Sequence, residues 1–284
     1  MFSWFGRKRQ SVEYPPLTER EFTDALMSER PSDSLARWAV EGRLRSLIPD
    51  LDALRGITQL PAHRDDAFIH TMKVVDAIEA TPVRRWAALL HDIAKAPTFI
   101  ETPEGRSRFF EHDRIGAEMV PEIMPDFVDD LSLVSRVLGL VRNHMRPISY
   151  NAEWSDAAVR RLYDDVEESA GREAWHDQMA LARADLRGYL PEPIDRGLWV
   201  LDQLEAHRES LLRADRDAEQ ALLNEPVSPL DGHEIVALVG REPGPWIAAV
   251  KGFLLEEVRS GRLARDDKAA AIRLVRAWLD DQRL

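Results

Sequence analysis

From residue 17 onward, apolar residues recur at three-and-four spacing in almost every segment of this chain, the period of an α-helix with one buried face. The stretches "LARWAVEGRLRSLIPDL", "SLVSRVLGLVRNHM" and "DAAVRRLYDDVEE" all carry it. "TEREFTDALMSE" adds a start signal, Thr18 followed three residues later by Glu21, the spacing of a capping box. The breakers "RPSDS", "ATPVRR", "PISYN" and "LPEPIDRG" divide these segments. One stretch departs from the pattern. "PTFIETPEGRSRFFEH" sets short apolar and aromatic runs around Pro103, Glu104 and Gly105, which predicts a short β-hairpin near 98–110 or an ordered loop there. The expected fold class is all-α, a helical bundle with a small C-terminal helical appendage.

Three regions are expected. Residues 1–16 end in "YPPL" and read as a flexible leader, residues 17–223 as the helical body, and residues 224–284 as a tail. The body closes with one long helix over 194–223, and "NEPVSPLDG" reads as a linker. In the tail, "DGHEIVALVG", "GPWIAAVKGFLLEEVRSG" and "DDKAAAIRLVRAWLDD" predict three helices, the first with a capped start at 231–234. At 284 residues, 44% of them hydrophobic, the chain is long enough to bury a sizeable core.

Composition removes several functional classes. With no cysteine, disulfides and thiolate metal sites are excluded. No run approaches the ~20 apolar residues that cross a bilayer. In "MFSWFGRKRQ" the aromatics precede the basic cluster, the wrong order for a secretory signal, so a cytoplasmic location is expected. The net charge of −12 opposes indiscriminate binding to nucleic acid, because phosphate repels it.

The candidate chemistry lies in polar residues placed on apolar helices. His70 sits in "AFIHTMKVVDAI", His91 and Asp92 are adjacent in "WAALLHDIAKAP", and His112 opens a helix in "FFEHDRIGAEM". His144 ends an apolar helix in "LVRNHMRP", and Asp185 lies on the mostly apolar face of "ALARADLRGYL". Taken singly, each histidine has an ordinary explanation as a hydrogen-bonded core residue. The aspartates are harder to explain, because burying an ionised carboxylate without a partner costs several kcal/mol or more. Residues of this kind on separate helices solve one another's problem by converging on a cation. Imidazole and carboxylate together suit Mn, Fe, Co, Ni or Zn, and carboxylates also suit Mg. Neighbouring helical side chains diverge by about 100°, so His91 and Asp92 need a cleft opening between two faces.

The order His70, then His91-Asp92, then Asp185 resembles the signature of the HD superfamily of metal-dependent phosphohydrolases, and "LLHDIAK" is similar to that family's central helix. His112 and His144, between the doublet and the last aspartate, resemble the version that holds two metals. Within the superfamily, "GITQLPAHRDDAFIHTMKVVDAI", "FFEHDRIGAEM", "LVRNHMRP" and "LARADLRG" resemble the HD-containing body of bacterial CCA-adding tRNA nucleotidyltransferases. "SPLDGHEIVALVGREPGPWIAAVKGFLLEEVRSGRL" resembles their tail, and the similarity runs from roughly residue 30 to residue 280. Those enzymes begin with a polymerase head carrying a glycine-rich phosphate loop and an acidic metal pair. No such loop precedes residue 60, so the expectation is an HD-domain bundle and tail without the head, and CCA addition is not carried over.

The resemblance implies roles. His70, His91, Asp92 and Asp185 would hold one divalent ion, and Asp92 would bridge to a second held by His112 and His144. Asp92 and Lys95 would be catalytic, Lys95 binding a phosphate oxygen or stabilising developing charge; an exposed helix charge is the alternative for Lys95. Arg106 and Arg108 in the predicted hairpin, and Arg142 and Arg146 beside His144, are candidate substrate-binding residues, with a solvated face the alternative for each. His63, His176, His207 and His233 receive no site role, with solvent expected around His176 and His207. Trp86, Trp175, Trp199, Trp246 and Trp278 are expected in the core.

The function this implies is a metal-dependent phosphohydrolase, a phosphodiesterase or phosphatase, acting on a nucleotide or RNA-end phosphate, with 2′,3′-cyclic phosphates foremost. Two alternatives stand beside it: a tRNA-binding module whose HD site is not catalytic, and a hydrolase of a signalling nucleotide or dNTP.

Overall fold

A computed structural model describes residues 14–59, 65–189 and 194–281. Most of the expected leader and all of His63 lie outside the described residues. The architecture is all-α with one two-stranded hairpin, and the chain divides into two compact units, Met1–Leu211 and Leu212–Leu284. Among the described residues no helix is long and apolar enough to cross a membrane.

The first unit begins with α1 (Glu19–Leu26), α2 (Pro31–Val40), α3 (Arg43–Leu47) and α4 (Pro49–Asp52). The capping box of α1 forms as the sequence predicts, Thr18 and Glu21 satisfying each other's backbone N–H groups. "LARWAVEGRLRSLIPDL" is not one helix, however. Gly42 turns the chain through a left-handed conformation (φ 75°), and Pro49 starts a new turn after Ile48. These short helices let Phe22 pack against Trp38, Trp86 and Phe127 in one aromatic cluster, with ring centroids 5.2–6.5 Å apart.

Next come α5 (Ala67–Ala77), α6 (Pro82–Leu90), the hairpin strands β1 (Phe99–Glu101) and β2 (Ser107–Phe109), and α7 (His112–Ile123). They are followed by α8 (Leu131–Asn143), α9 (Met145–Ile148), α10 (Asp156–Ala170), α11 (Ala174–Gly188) and α12 (Ile194–Asn224). β1 and β2 pair antiparallel, Phe99 opposite Phe109 and Glu101 opposite Ser107, with Gly105 at positive φ in the turn. Asp66 starts α5 by accepting from Ile69 N, and its other oxygen accepts from Gly56 N. Asp177 on α11 accepts from Arg84 on α6 at 2.7 Å and from Arg136 on α8 at 3.0 Å, clamping three helices. Gly139 lets α8 approach α10 closely: a Cβ there would lie 2.5 Å from the Ser169 carbonyl oxygen.

The second unit contains α13 (Gly232–Val239), α14 (Trp246–Arg259) and α15 (Lys268–Asp281). Leu230, Ile235, Val250, Leu254, Leu263, Ala271 and Val275 form its core. Asp231 and Glu234 complete the capping box at the start of α13.

Two expectations are corrected. Trp86 and Trp175 are core residues, and Trp246 and Trp278 are half-buried against the second unit's core, but Trp199 is 59% exposed. The buried face of α12 is set by Leu201, Leu204 and Leu211, and Trp199 does not share their three-and-four spacing. His207 is not simply solvated either. It joins Tyr150 Oη at 3.1 Å to Asp156 Oδ1 at 3.0 Å through its two ring nitrogens, pinning α12 to the start of α10.

Candidate metal centre

Six of the singled-out residues meet in the first unit. His70 comes from α5, His91 and Asp92 from the end of α6, His112 from the start of α7, His144 from the junction of α8 and α9, and Asp185 from the last turns of α11. All six are buried, His112 the most exposed at 7%.

The backbone explains how the adjacent pair reaches one pocket. His91 keeps helical dihedrals (φ −57°, ψ −36°), whereas Asp92 leaves the helix (φ −108°, ψ 11°) and Ile93–Lys95 continue as a 3₁₀ turn. The doublet therefore lies at a helix end rather than within a regular helix, and the change in winding removes the divergence of helical neighbours. Asp92 Oδ2 consequently sits 3.1 Å from His91 Nε2. A second local device aims His112. Glu111 is the one non-glycine described residue with positive φ (55°), a conformation costing about 1–2 kcal/mol, and it turns the chain from β2 directly into α7.

Protonation follows from hydrogen bonds. Nδ1 of His91, His112 and His144 lies 2.8, 2.9 and 2.7 Å from the backbone oxygen of Ala88, Phe109 and Val141, each three residues earlier. A carbonyl only accepts, so each Nδ1 carries a hydrogen and each neutral ring turns its Nε2 lone pair inward. Yet His112 Nε2 and His144 Nε2 are 3.2 Å apart, and His91 Nε2 is 3.4 Å from His70 Nε2. His70 Nε2 also lies 2.9 Å from Asp185 Oδ1, while its buried Nδ1 has no hydrogen-bond partner.

Asp92 faces both sets. Its Oδ2 is 3.6 Å from His70 Nε2, and its Oδ1 is 3.5 Å from His112 Nε2 and 3.7 Å from His144 Nε2. Two groups result, His70–His91–Asp185 and Asp92–His112–His144, each with donor atoms all within 4.8 Å of one another. Opposed nitrogen lone pairs among carboxylate oxygens repel unless a cation lies among them. The donor set therefore fits divalent ions that accept nitrogen and oxygen, and the backbone carbonyls orient the rings as supporting groups do in metal sites.

In the pocket, charges act against burial. Burial alone would raise Asp92, but the His91 and Lys95 charges hold its carboxyl well below the usual range. Burial likewise opposes the hydrogen bond from His70 that, with His91, keeps Asp185 low. Burial would lower His91, and the Asp92 carboxylate outweighs it, so His91 is raised. His144 is lowered to about 4, by burial first and then by the charge of His91. Its folded value lies below the ~6.5 of a free imidazole, so its contribution to stability is whole above pH 6.5 and is lost as pH falls toward 4. Chelator-treated protein is expected to lose roughly 3 kcal/mol across that window from this imidazole, read as a lower urea midpoint at pH 4.5 than at pH 7. An unchanged midpoint would mean that His144 is not buried neutral.

Lys95 is buried rather than an exposed helix charge. Its ammonium lies 2.6 Å from Asp92 Oδ2, donates to the Gln59 side chain and sits over the Phe109 ring. Lys95 and His112 line a cleft of about 420 Å³ together with Arg108, Phe109, Phe110 and Tyr189. Arg106 is exposed at the hairpin and does not line this cleft. Arg142 and Arg146 face a separate cleft of about 630 Å³. There Arg146 is committed to Asn143 and Asp165, while Arg142 is exposed.

Some residues around the pocket escaped the sequence reading. Gln59 holds Lys95, and Tyr189 stacks on the His70 ring at 4.5 Å. Tyr189 lies four positions after Asp185, a spacing that reads as one helical face. Burial, then the charges of Asp185 and Asp92, raise its phenol well above the ordinary value, so it stays protonated. Gly188 leaves no room for a side chain, since a Cβ would lie 2.8 Å from the His70 ring.

Comparison with known proteins places this pocket. Residues 68–186 match the HD domain family. The match opens two residues before His70 and closes one residue after Asp185, so all six residues of the pocket belong to the HD domain. Along most of its length, this HD domain included, the chain is 30% identical over 252 residues to an A-adding tRNA nucleotidyltransferase of Deinococcus radiodurans, covering 84% of this chain and 53% of that protein. It is 30% identical over 268 residues to a CC-adding tRNA nucleotidyltransferase of Thermus thermophilus, covering 91% of this chain and 57% of that protein. A multifunctional CCA protein of Cupriavidus metallidurans is 28% identical over 215 residues, with 72% and 49% covered. The chain thus resembles these enzymes along most of its own length while spanning about half of theirs. HD domains are metal-dependent hydrolases as a superfamily, and the pocket's histidines and aspartates form groups able to hold a metal.

Proposed function

We propose that this chain is a metal-dependent phosphohydrolase, acting as phosphodiesterase or phosphatase on a nucleotide or an RNA-end phosphate, with 2′,3′-cyclic phosphates the first substrates to try. The observation that carries the reading is Asp92, whose two oxygens face the inward Nε2 atoms of two separate pairs of histidines. In this reading His70, His91 and Asp185 would hold one ion, His112 and His144 would hold another, and Asp92 would serve both. Bound divalent ions would supply an acidified water and a Lewis acid for the phosphoryl oxygen.

The side chains do the remainder. Lys95 stands where the cleft meets Asp92, so its ammonium can donate to a phosphoryl oxygen and offset the charge that accumulates there. Gln59 keeps that ammonium from swinging away. His91, His112 and His144 keep their Nδ1 protons on backbone carbonyls, which fixes the ring orientations before a substrate arrives. Burial keeps bulk water from screening these charges. Arg108, at the cleft rim, supplies a further cation for phosphate.

The test is phosphate release by chelator-treated protein reloaded in turn with Mn, Fe, Co, Ni, Zn and Mg. The substrates are nucleoside 2′,3′-cyclic phosphates, 3′- and 5′-monophosphates, signalling nucleotides and dNTPs. Release that requires an ion and favours cyclic diesters or monophosphates is expected. No release with any ion overturns the reading, and preference for dNTPs or a signalling nucleotide moves it to that alternative.

A second reading is that the chain holds tRNA, favoured by the tRNA nucleotidyltransferases that resemble it along 84% and 91% of its length. The net charge of −12 confines any such contact to local arginine patches. Salt-dependent tRNA binding that survives Asp92→Ala would support it.

A further inference from the structure

The cleft above the metal centre has a chemistry that phosphate alone does not explain. Phosphate recognition calls for cations and donors, which Lys95 and Arg108 supply. The rest of the lining is aromatic and apolar: Phe110 is 58% exposed, Met145 is 37% exposed, and Phe109 is half-buried beneath the Lys95 ammonium, 5.4 Å from its ring centre. The exposed Phe110 ring at the edge of a charged pocket offers a flat ligand a face to cover. The Arg108 guanidinium lies 5.8 Å from the Phe110 ring centre, so the rim presents a ring beside a planar cation, the pairing on which nucleobases stack.

Two of the cleft's neutral polar groups already have partners. Gln59 accepts from Lys95, and the Ser107 hydroxyl lies 3.4 Å from that of Thr58. Edge-reading of a base needs donors and acceptors aimed into the site, whereas stacking needs only a ring face. A cleft of about 420 Å³ falls within the about 300–1,000 Å³ of small-molecule sites.

We infer that Phe110, with Arg108, is a nucleobase-stacking platform, so that the substrate is a nucleoside phosphate or RNA 3′ end whose base is held by its face and scarcely discriminated by its edges. The inference rests on the phosphohydrolase reading for the position of the phosphate, over Lys95 and His112. Phe110 is here a specificity-determining residue with no part in the chemistry.

The test compares base-bearing and baseless ligands. Binding of adenosine, guanosine, cytidine and uridine 3′-monophosphates and of 1-O-methylribose 3-phosphate is measured by calorimetry on chelator-treated wild type, Phe110→Ala and Phe110→Tyr. The kcat/KM for the matching 2′,3′-cyclic phosphates is then measured on ion-loaded protein. Wild type is expected to bind the nucleotides at least about tenfold more tightly than the baseless phosphate, with the four bases within about tenfold of one another. Phe110→Ala should erase the difference while leaving the baseless ligand unchanged, and Phe110→Tyr should restore it. Equal binding of base-bearing and baseless ligands by wild type overturns the inference. So does an unaltered Phe110→Ala, or a single base preferred more than about a hundredfold. Baseless diester hydrolysed as well as the nucleotide would defeat the platform and leave the phosphohydrolase standing. Platform-dependent binding without hydrolysis under any ion would do the reverse.

Discussion

Asp92→Ala is expected to remove ion-dependent phosphate release, with a fall in kcat of at least about a thousandfold, and to empty the protein of bound metal. The size follows from the position of the carboxylate. One oxygen faces His70 and His91 at 3.6 and 3.1 Å, and the other faces His112 and His144 at 3.5 and 3.7 Å, so one substitution strips an oxygen donor from both groups. It also leaves the Lys95 ammonium buried without its counter-charge 2.6 Å away. Asp92→Asn keeps the volume and an oxygen while discarding the charge, so it separates loss of ligation from collapse of the pocket. Metal content by elemental analysis, with circular dichroism as a check on folding, reads both variants. If Asp92→Ala keeps its metal and its rate, Asp92 does not join two ions.

Gly139→Val is expected to be the most destabilising single change outside the pocket. Even the Cβ of alanine would lie 2.5 Å from the Ser169 carbonyl oxygen, 2.6 Å from its carbon and 2.7 Å from the Ala170 Cβ. Two of those atoms are backbone in the last turn of α10, so no rotamer relieves the clash and the helices must separate. The separation would break the hydrogen bond from Asn143 Nδ2 to the Ser169 hydroxyl, next to His144. Overpacking of this kind costs about 3 kcal/mol or more, which lowers the Tm of a chain this size by roughly 6–12 °C. A thermal melt within about 2 °C of wild type would show that α8 and α10 do not meet this closely.

The helical body, the hairpin and the capping boxes were legible because periodicity and turn chemistry are local. Thr18 and Glu21, Asp231 and Glu234, and the glycine turn of the hairpin act within a few residues of themselves. The six polar residues were legible for a different reason: an aspartate on an apolar face has few structural uses, and the order of the histidines around Asp92 and Asp185 resembles the HD signature. What the sequence concealed is the tertiary geometry. Nothing local announces that the helix ends between His91 and Asp92, or that Glu111 takes a left-handed conformation to aim His112. The apolar periodicity of α12 did not reveal which face Trp199 occupies, because amphipathicity on a long helix is weak evidence for one residue. Arg142 and Arg146 flank His144 in sequence, yet the turn from α8 to α9 sends both to another cleft. In the sequence Phe110 is no more than one aromatic of the hairpin stretch, since its importance depends on the cleft beside it.

The most direct test of the central claim is a crystal of the protein soaked in Mn²⁺, with anomalous scattering used to locate the ion. The account predicts anomalous density between His70, His91 and Asp185, and a second peak between His112 and His144, with Asp92 contacting both. Density at neither position in a fully soaked crystal, with the six side chains in place, would contradict it.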